Sequence, residues 1–495
     1  MKTRMHSRST LMLSPLLATL ILAGCATAPT PPDAKIEVPT AFKETAALQS
    51  GTWKPAQPAE AQARGAWWLA FNDATLNDLE QQAQTASPNL AAAAARVKAS
   101  RAALSSSQAD RLPQLGVNFG ATQQKGSAAD LGLADGTQTP PATIWRGGLT
   151  ASYEVDLFQR VANQVDAATA DAAATEASYR SVLLALQADV AQTYFQLRSL
   201  DAEVDVLARG LKLREQTLDL IQKRYNAGDV AELDVARAKT DLASTRAEHQ
   251  GLRGTRARTE HALALLLGKA PSAFSLAPQA LKIDAPVPEV PPGLPSTLLE
   301  RRPDVAAAQS QMMAATARVG AAKSALFPAL VLTANGGYSS YELRDLFDWS
   351  ARSWLTSAVL SLPLFDGGRN RAAVTKAEAQ LEESVASYRQ AVLGAFGDVE
   401  DKLASLGAVR EQSVSLDEAL VAARRSFDLA DKRYRAGEDS FLTLLDAQRS
   451  LLAVERQTIT TRGGWATSTV GLIRSLGGSW DATPVVAQAA PLMAR

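Results

Sequence analysis

Few residues in this chain can do thiol or imidazole chemistry. The 495 residues contain one cysteine, Cys25, and three histidines, His6, His249 and His261. A single cysteine excludes disulfides within the chain and thiolate metal sites, which need several thiolates. Neither His249 nor His261 has a His or Cys at ligand spacing, and both read as helix-surface residues. No P-loop, dinucleotide fingerprint or nucleophile elbow is present. Lys+Arg and Asp+Glu each number 51, so the electrostatics give no case for nucleic acid. What recurs is a small turn: Arg224–Asp229 reads RYNAGD and Arg433–Glu438 reads RYRAGE. The sequence does not argue for an enzyme, and no cofactor is expected.

The N-terminus reads as an export signal. Lys2, Arg4 and Arg8 precede a short apolar run, Leu11 to Leu22, and then Ala23-Gly24-Cys25. The run is too short to span a bilayer and carries signal-peptide flanks. It resembles a lipobox, which implies that Cys25 becomes the mature N-terminus and carries covalent lipid, each buried methylene of which contributes roughly 0.8 kcal/mol of membrane affinity.

Periodicity sets the elements that must hold the two turns. Helical pattern runs from about Ala74 to Arg111. Leu115, Val117, Phe119 and Ala121 then alternate with polar or glycine positions, as do Leu149, Ala151, Tyr153, Val155 and Leu157. A two-residue period marks strands with one apolar and one wet face. Gln159 to Leu267 contains no proline, and Leu183, Val190, Leu197, Val204, Leu211, Leu218 and Tyr225 recur every seventh position. Leu186, Leu200, Leu207 and Ile221 add a second seam. At about 1.5 Å per residue, a helix from Gln159 to Tyr225 would be roughly 100 Å long. Gly228 then turns the chain into a second long helix, from about Val230.

The series repeats. A helix is expected from Pro303, strands over Leu330–Tyr338 and Trp354–Leu364, and a second proline-free run begins at Arg369. Its heptad (Val392, Val399, Leu406, Leu420, Phe427, Tyr434) breaks at Ser413. Gly228 maps to Gly437 and Leu267-Gly268 to Leu476-Gly477, an offset of about 209. The expected organisation is a signal over 1–24, a lipidated tether over 25–66, a first repeat over 67–295, a second over 296–477 and a tail over 478–495. Four amphipathic strands cannot close a barrel, and an open edge cannot sit in lipid. Three chains would supply twelve strands. The alternative is a soluble coiled-coil protein with a small β-sandwich.

These residues carry a resemblance. Trp67–Phe71, LPQL from Leu112, SYEVDLFQR from Ser152, RYNAGD, LLERRPDVAAA from Leu298, ALFPAL from Ala325, LPLFDGGR from Leu362 and RYRAGEDSFLTLLDAQRSLL from Arg433 occur in order. They resemble the outer membrane factor (TolC-like) family, in its lipoprotein branch serving resistance-nodulation-division efflux systems. Gln159 departs from the glycine usual in that family.

The resemblance implies an α+β membrane protein. Its trimer would form a 12-stranded outer-membrane β-barrel, four strands per chain, continued by a long α-helical coiled-coil periplasmic barrel. It implies a passive efflux channel, with a type I protein-secretion channel or a periplasmic adaptor lipoprotein as alternatives. The implied partners are two further copies, outer-membrane lipid, a periplasmic adaptor and an inner-membrane resistance-nodulation-division transporter. It also implies that Leu442 and Asp446 form an apolar and an acidic constriction at the periplasmic gate. The adaptor would dock on the tips, at Arg224, Tyr225, Ala227 and Gly228 and at Arg433, Tyr434, Ala436 and Gly437.

Overall fold

A computed structural model of the chain describes residues 66–280 and 301–478, together with Pro39, Phe42, Lys43 and Pro288. The signal segment, Cys25, nearly all of the tether and the tail beyond Gly478 lie outside the described residues. The helices are α1 (Ala74–Ala86), α2 (Pro88–Ala109), α3 (Arg160–Asn226), α4 (Glu232–Leu266), α5 (Pro303–Ser324), α6 (Arg369–Ala436) and α7 (Phe441–Ser475). The strands are β1 (Gln114–Gln124), β2 (Ala142–Val155), β3 (Ala329–Ser340) and β4 (Arg352–Ser361).

The expected single helix from Ala74 is two. Ser87 is extended and Pro88 follows it, and proline disfavours the α conformation in the residue before it. The duplication holds in the structure: α4 and α7 begin and end 209 positions apart, and both contain 35 residues.

The chain divides into two compact units. The first is drawn from Arg96–Thr175 and Ala307–Arg389 and contains one antiparallel sheet of order β1-β2-β3-β4. Its register decides its chemistry. Val117 pairs with Leu149, Ala151 with Ala334, Tyr153 with Leu332, Leu330 with Leu360 and Gly336 with Trp354. Paired residues share a face, so Leu115, Val117, Phe119, Leu149, Tyr153, Leu330, Leu332, Trp354 and Leu360 lie on one side. Asn118, Thr150, Ser152, Glu154, Asn335, Ser353 and Ser357 lie on the other. Leu115, Val117 and Trp354 are each at least 80% exposed, which is a lipid-type face rather than a core. Glycine permits the tightest strand contact: a Cβ on Gly148 would lie 2.6 Å from the Gly336 carbonyl oxygen, and one on Gly337 2.3 Å from that of Gly147.

At the junction from β2 to α3, Asp156 accepts hydrogen bonds from the Val161 and Ala162 amides at 3.1 and 2.7 Å, satisfying donors that a helix start leaves open. Gln159 sits there at φ +61°, in the left-handed region. A side chain is strained in this conformation and glycine is not. In the second repeat Gly367 and Gly368 take the positive φ angles, and Asp366 caps the helix through the Gly368 and Asn370 amides.

The second unit is drawn from Ile36–Ala95, Glu176–Ala306 and Gln390–Arg495. Its described core is built on the heptad seams. Val190, Leu197, Leu207 and Ile221 of α3 are wholly buried, as are Val392 and Val399 of α6 and Val470, Leu472 and Ile473 of α7. Ser413, where the α6 heptad breaks, is buried as well. Tyr225 differs from the seam expectation and is exposed, because the helix terminates one residue later and its neighbours there are turn residues.

Candidate gate and hairpin tips

Each repeated turn is a glycine-terminated helix end. In the first, the Gly228 amide donates to the Tyr225 carbonyl at 2.9 Å and the Asp229 amide to that of Arg224 at 2.9 Å. In the second, Gly437 donates to Tyr434 at 3.1 Å and Glu438 to Arg433 at 2.9 Å. This pair of bonds is the Schellman pattern, which requires a left-handed residue at the position of the glycine. Gly228 has φ +86° and Gly437 φ +79°. The small residues Ala227 and Ala436 immediately precede those glycines. The arginines occupy the last helical turn, where cations meet the negative end of the helix dipole.

The two tips then pack together. Ile221, Val235 and Ala238 of the first hairpin form one cluster with Ala430, Tyr434, Phe441, Leu444 and Leu445 of the second. Tyr434 is 3% exposed and Tyr225 is 39% exposed, although they occupy the same place in the repeat. The Arg224 guanidinium lies over the Tyr434 ring, 4.9 Å from its centroid, a cation–π contact that ties the first tip to the second. Burial pushes the Tyr434 phenol above its usual range, against the pull of Arg224. Arg433 instead faces Asp439, 3.6 Å away. Hydrogen bonds from the Thr443 side chain and the Ser440 amide hold Asp439 below the ordinary carboxylate range. These partners were not readable in the sequence, because both depend on how the second hairpin folds back.

Leu442 and Asp446 occupy the first turns of α7, capped by the Ser440 hydroxyl, which accepts from the Thr443 amide at 3.3 Å. Phe441, Leu444, Leu445 and Gln448 are buried on one side of this helix, while Leu442 and Asp446 are exposed on the other. Four residues apart, they stand one above the other on a single stripe. Asp446 has no hydrogen-bond or ion-pair partner among the described residues. Arg449, one turn on, is held elsewhere: its Nε donates to Asp241 Oδ1 at 2.7 Å. Arg214 donates to Asp241 Oδ2 at 2.6 Å, and Arg214 and Asp241 are both buried. This Arg214–Asp241–Arg449 network, which periodicity alone could not reveal, leaves the Asp446 charge uncompensated. Among the described residues no cluster of His, Cys, Asp or Glu could hold a metal ion, and no helix is long and apolar enough to cross a membrane.

A sheet with one lipid-type face, joined in sequence to paired coiled-coil hairpins, is the architecture of an outer-membrane channel. The outer membrane efflux protein family matches residues 79–269 and 294–478, and the chain belongs to that family. It is 34% identical to outer membrane protein OprJ of Pseudomonas aeruginosa over 477 residues, covering 95% of this chain and 96% of that protein. It is 32% identical to the toluene efflux pump outer membrane protein TtgC of Pseudomonas putida over 472 residues, covering 95% and 96%. The solved structure of the outer-membrane channel OprN matches with a TM-score of 0.81 at 31% identity, covering 92% of this chain and all of that one. The chain is an α+β outer-membrane protein with an internal duplication, and it serves as an outer-membrane efflux channel.

Proposed function

We propose that three copies assemble into the conducting channel, with a twelve-stranded barrel in the outer membrane and a helical tunnel in the periplasm. The observation that carries this reading is the four-stranded sheet, whose register gathers Leu115, Val117, Phe119, Leu149, Trp354 and Leu360 on one face and leaves β1 and β4 as edges unpaired among the described residues. Unpaired backbone groups cannot remain in hydrocarbon, so strands of other copies must close the ring. The tips at Arg224–Asp229 and Arg433–Glu438 receive a periplasmic adaptor, which joins the channel to an inner-membrane resistance-nodulation-division transporter. Lipid attached at Cys25 adds a second anchor. Cargo consists of small organic compounds, in keeping with relatives named for toluene, antibiotic and pyoverdine export. The channel contributes no catalysis and supplies only a path.

Leu442 and Asp446 form the gate. Three Leu442 side chains narrow the path, and three Asp446 carboxylates repel one another and select for cations. Adaptor binding favours an arrangement in which the contacts between tips, Arg224 on Tyr434 among them, are released. Single-channel recording of the purified protein in planar bilayers, alongside native mass measurement, tests the assembly. A trimer with discrete conductance steps is expected; a monomer, or a trimer without conductance, contradicts the proposal.

A further inference from the structure

The side of the sheet that bears Asn118, Thr150 and Asn335 carries almost no charge. Side chains alternate along a strand, and on this side β1, β3 and β4 present no charged residue. Only β2 places charge there, at Arg146 and Glu154. Glu154 is neutralised, since both its oxygens accept from Arg160, Oε1 from Nε at 2.7 Å. Arg146 is exposed and has no hydrogen-bond or ion-pair partner among the described residues.

The surroundings leave that charge open. Directly across the strands, Arg146 pairs with Gly120 of β1 and Ser339 of β3, neither of which can compensate it. A Cβ on Gly120 would meet nothing within 4 Å, so the space beside Arg146 is free. In the connection from β3 to β4, Glu342 and Asp345 are engaged by Arg344, at 2.7 and 3.3 Å. Arg352, the other arginine of the strands, pairs with Tyr338 and so lies on the apolar side. At about 3.3 Å per residue, Arg146 stands roughly 30 Å along β2 from Val155, the end that leads into α3. The open charge therefore belongs to the strand end remote from the helices.

We propose that Arg146 is a specificity-determining residue of the barrel. Three guanidiniums, one from each copy, form a cationic ring near the outer mouth that concentrates small anionic solutes such as carboxylates and phosphates. Arginine or lysine rings favour anions as acidic rings favour cations. Because the rest of this side is uncharged or neutralised, the ring sets the local potential within a Debye length of about 10 Å at 0.1 M salt. Guanidinium does not titrate in the working range, so the preference is independent of pH. Cargo leaving the cell meets two charge filters of opposite sign, Asp446 in the tunnel and Arg146 in the barrel. This inference rests on the homotrimeric channel reading.

The test uses full-length protein and has two arms. Single channels carrying Asp446→Asn separate the ring from the gate: a residual anion preference is expected at 0.1 M potassium chloride, and adding Arg146→Gln should remove it. The second arm reads the potential beside the ring in lipid nanodiscs. Gly120→Cys places a thiol across from Arg146, where paired Cβ atoms lie about 5 Å apart, on backbone that is not left-handed. Its rates with sulfonatoethyl and trimethylammonioethyl methanethiosulfonate, one anionic and one cationic, are taken as a ratio, which cancels any effect on thiol ionisation. Protein without the introduced cysteine sets the background for Cys25. Arg146→Gln should lower the anionic-to-cationic ratio by about fivefold, Arg146→Lys should preserve it, and 1 M salt should erase the difference. Val117→Cys, on the apolar side, should be shielded by lipid. A reactive Val117→Cys, or an unreactive Gly120→Cys, would overturn the barrel reading and the ring together. With Val117→Cys shielded, a rate ratio or a reversal potential indifferent to Arg146→Gln would overturn the ring alone.

Discussion

The two hairpin tips share a backbone and differ in almost everything the backbone carries. Both end in the same pair of bonds closed by a left-handed glycine. Yet Tyr434 is inserted in the shared core while Tyr225 faces solvent. At the start of the returning helix, Leu442 and Asp446 of α7 stand where α4 has Leu233 and Arg237. The acidic position of one repeat is basic in the other, and Arg237 is partnered by Asp234 at 3.4 Å whereas Asp446 has no partner among the described residues. Duplication thus supplied a scaffold on which one copy came to bear the free carboxylate and the other a neutralised cation.

The strongest challenge to this contrast lies in the buried charges behind the tips. Asp241→Leu would strand Arg214 in the interior, and breaking a buried pair costs about 3–5 kcal/mol. The equivalent Ser450→Leu removes no charge partner and should fall within about 0.5 kcal/mol, as exposed substitutions do. Denaturant unfolding compares them, and equal losses would mean that the network carries no stability.

Next in size is the tyrosine pair. Tyr434→Ala empties a buried site and should cost about 3 kcal/mol, the scale of large aromatic truncations, while Tyr225→Ala should cost under about 0.5 kcal/mol. Hydrogen exchange at the start of α7 reads the difference directly: faster exchange is expected only in the Tyr434 variant. Arg224→Ala should follow with about 1 kcal/mol, the cation–π contribution, and Arg224→Lys should retain part of it.

The smallest effect concerns the other end of the helices. Gln159→Gly relieves the left-handed conformation and should stabilise by about 1 kcal/mol, less the backbone entropy that glycine adds to the unfolded chain. An unchanged or lowered midpoint would show that the Gln159 side chain makes contacts worth more than its strain.

Much of this architecture was legible because it rests on local periodicity. The heptads located α3 and α6, the alternation of Leu115–Ala121 and Leu149–Leu157 located β1 and β2, and RYNAGD with RYRAGE located the turns. What escaped depends on register. β2 begins at Ala142 rather than Leu149, since Arg146-Gly147-Gly148 breaks the alternation while its backbone still pairs on both sides. The exposure of Tyr225 contradicts its heptad position, because a seam residue at a helix end loses the next turn that would cover it. The Arg449–Asp241 and Arg456–Glu248 ion pairs join residues 208 apart, and nothing in either stretch alone announces the other. The gate residues stood out through the resemblance; their shared exposed stripe came only with the fold.

The most direct test of the gate assignment is the reversal potential of single channels under a potassium chloride gradient, compared for wild type, Asp446→Asn and Arg237→Gln. A cation-selective wild type is expected, with selectivity largely lost in Asp446→Asn and preserved in Arg237→Gln. An Asp446→Asn channel with wild-type reversal potential would contradict the account and remove Asp446 from the gate.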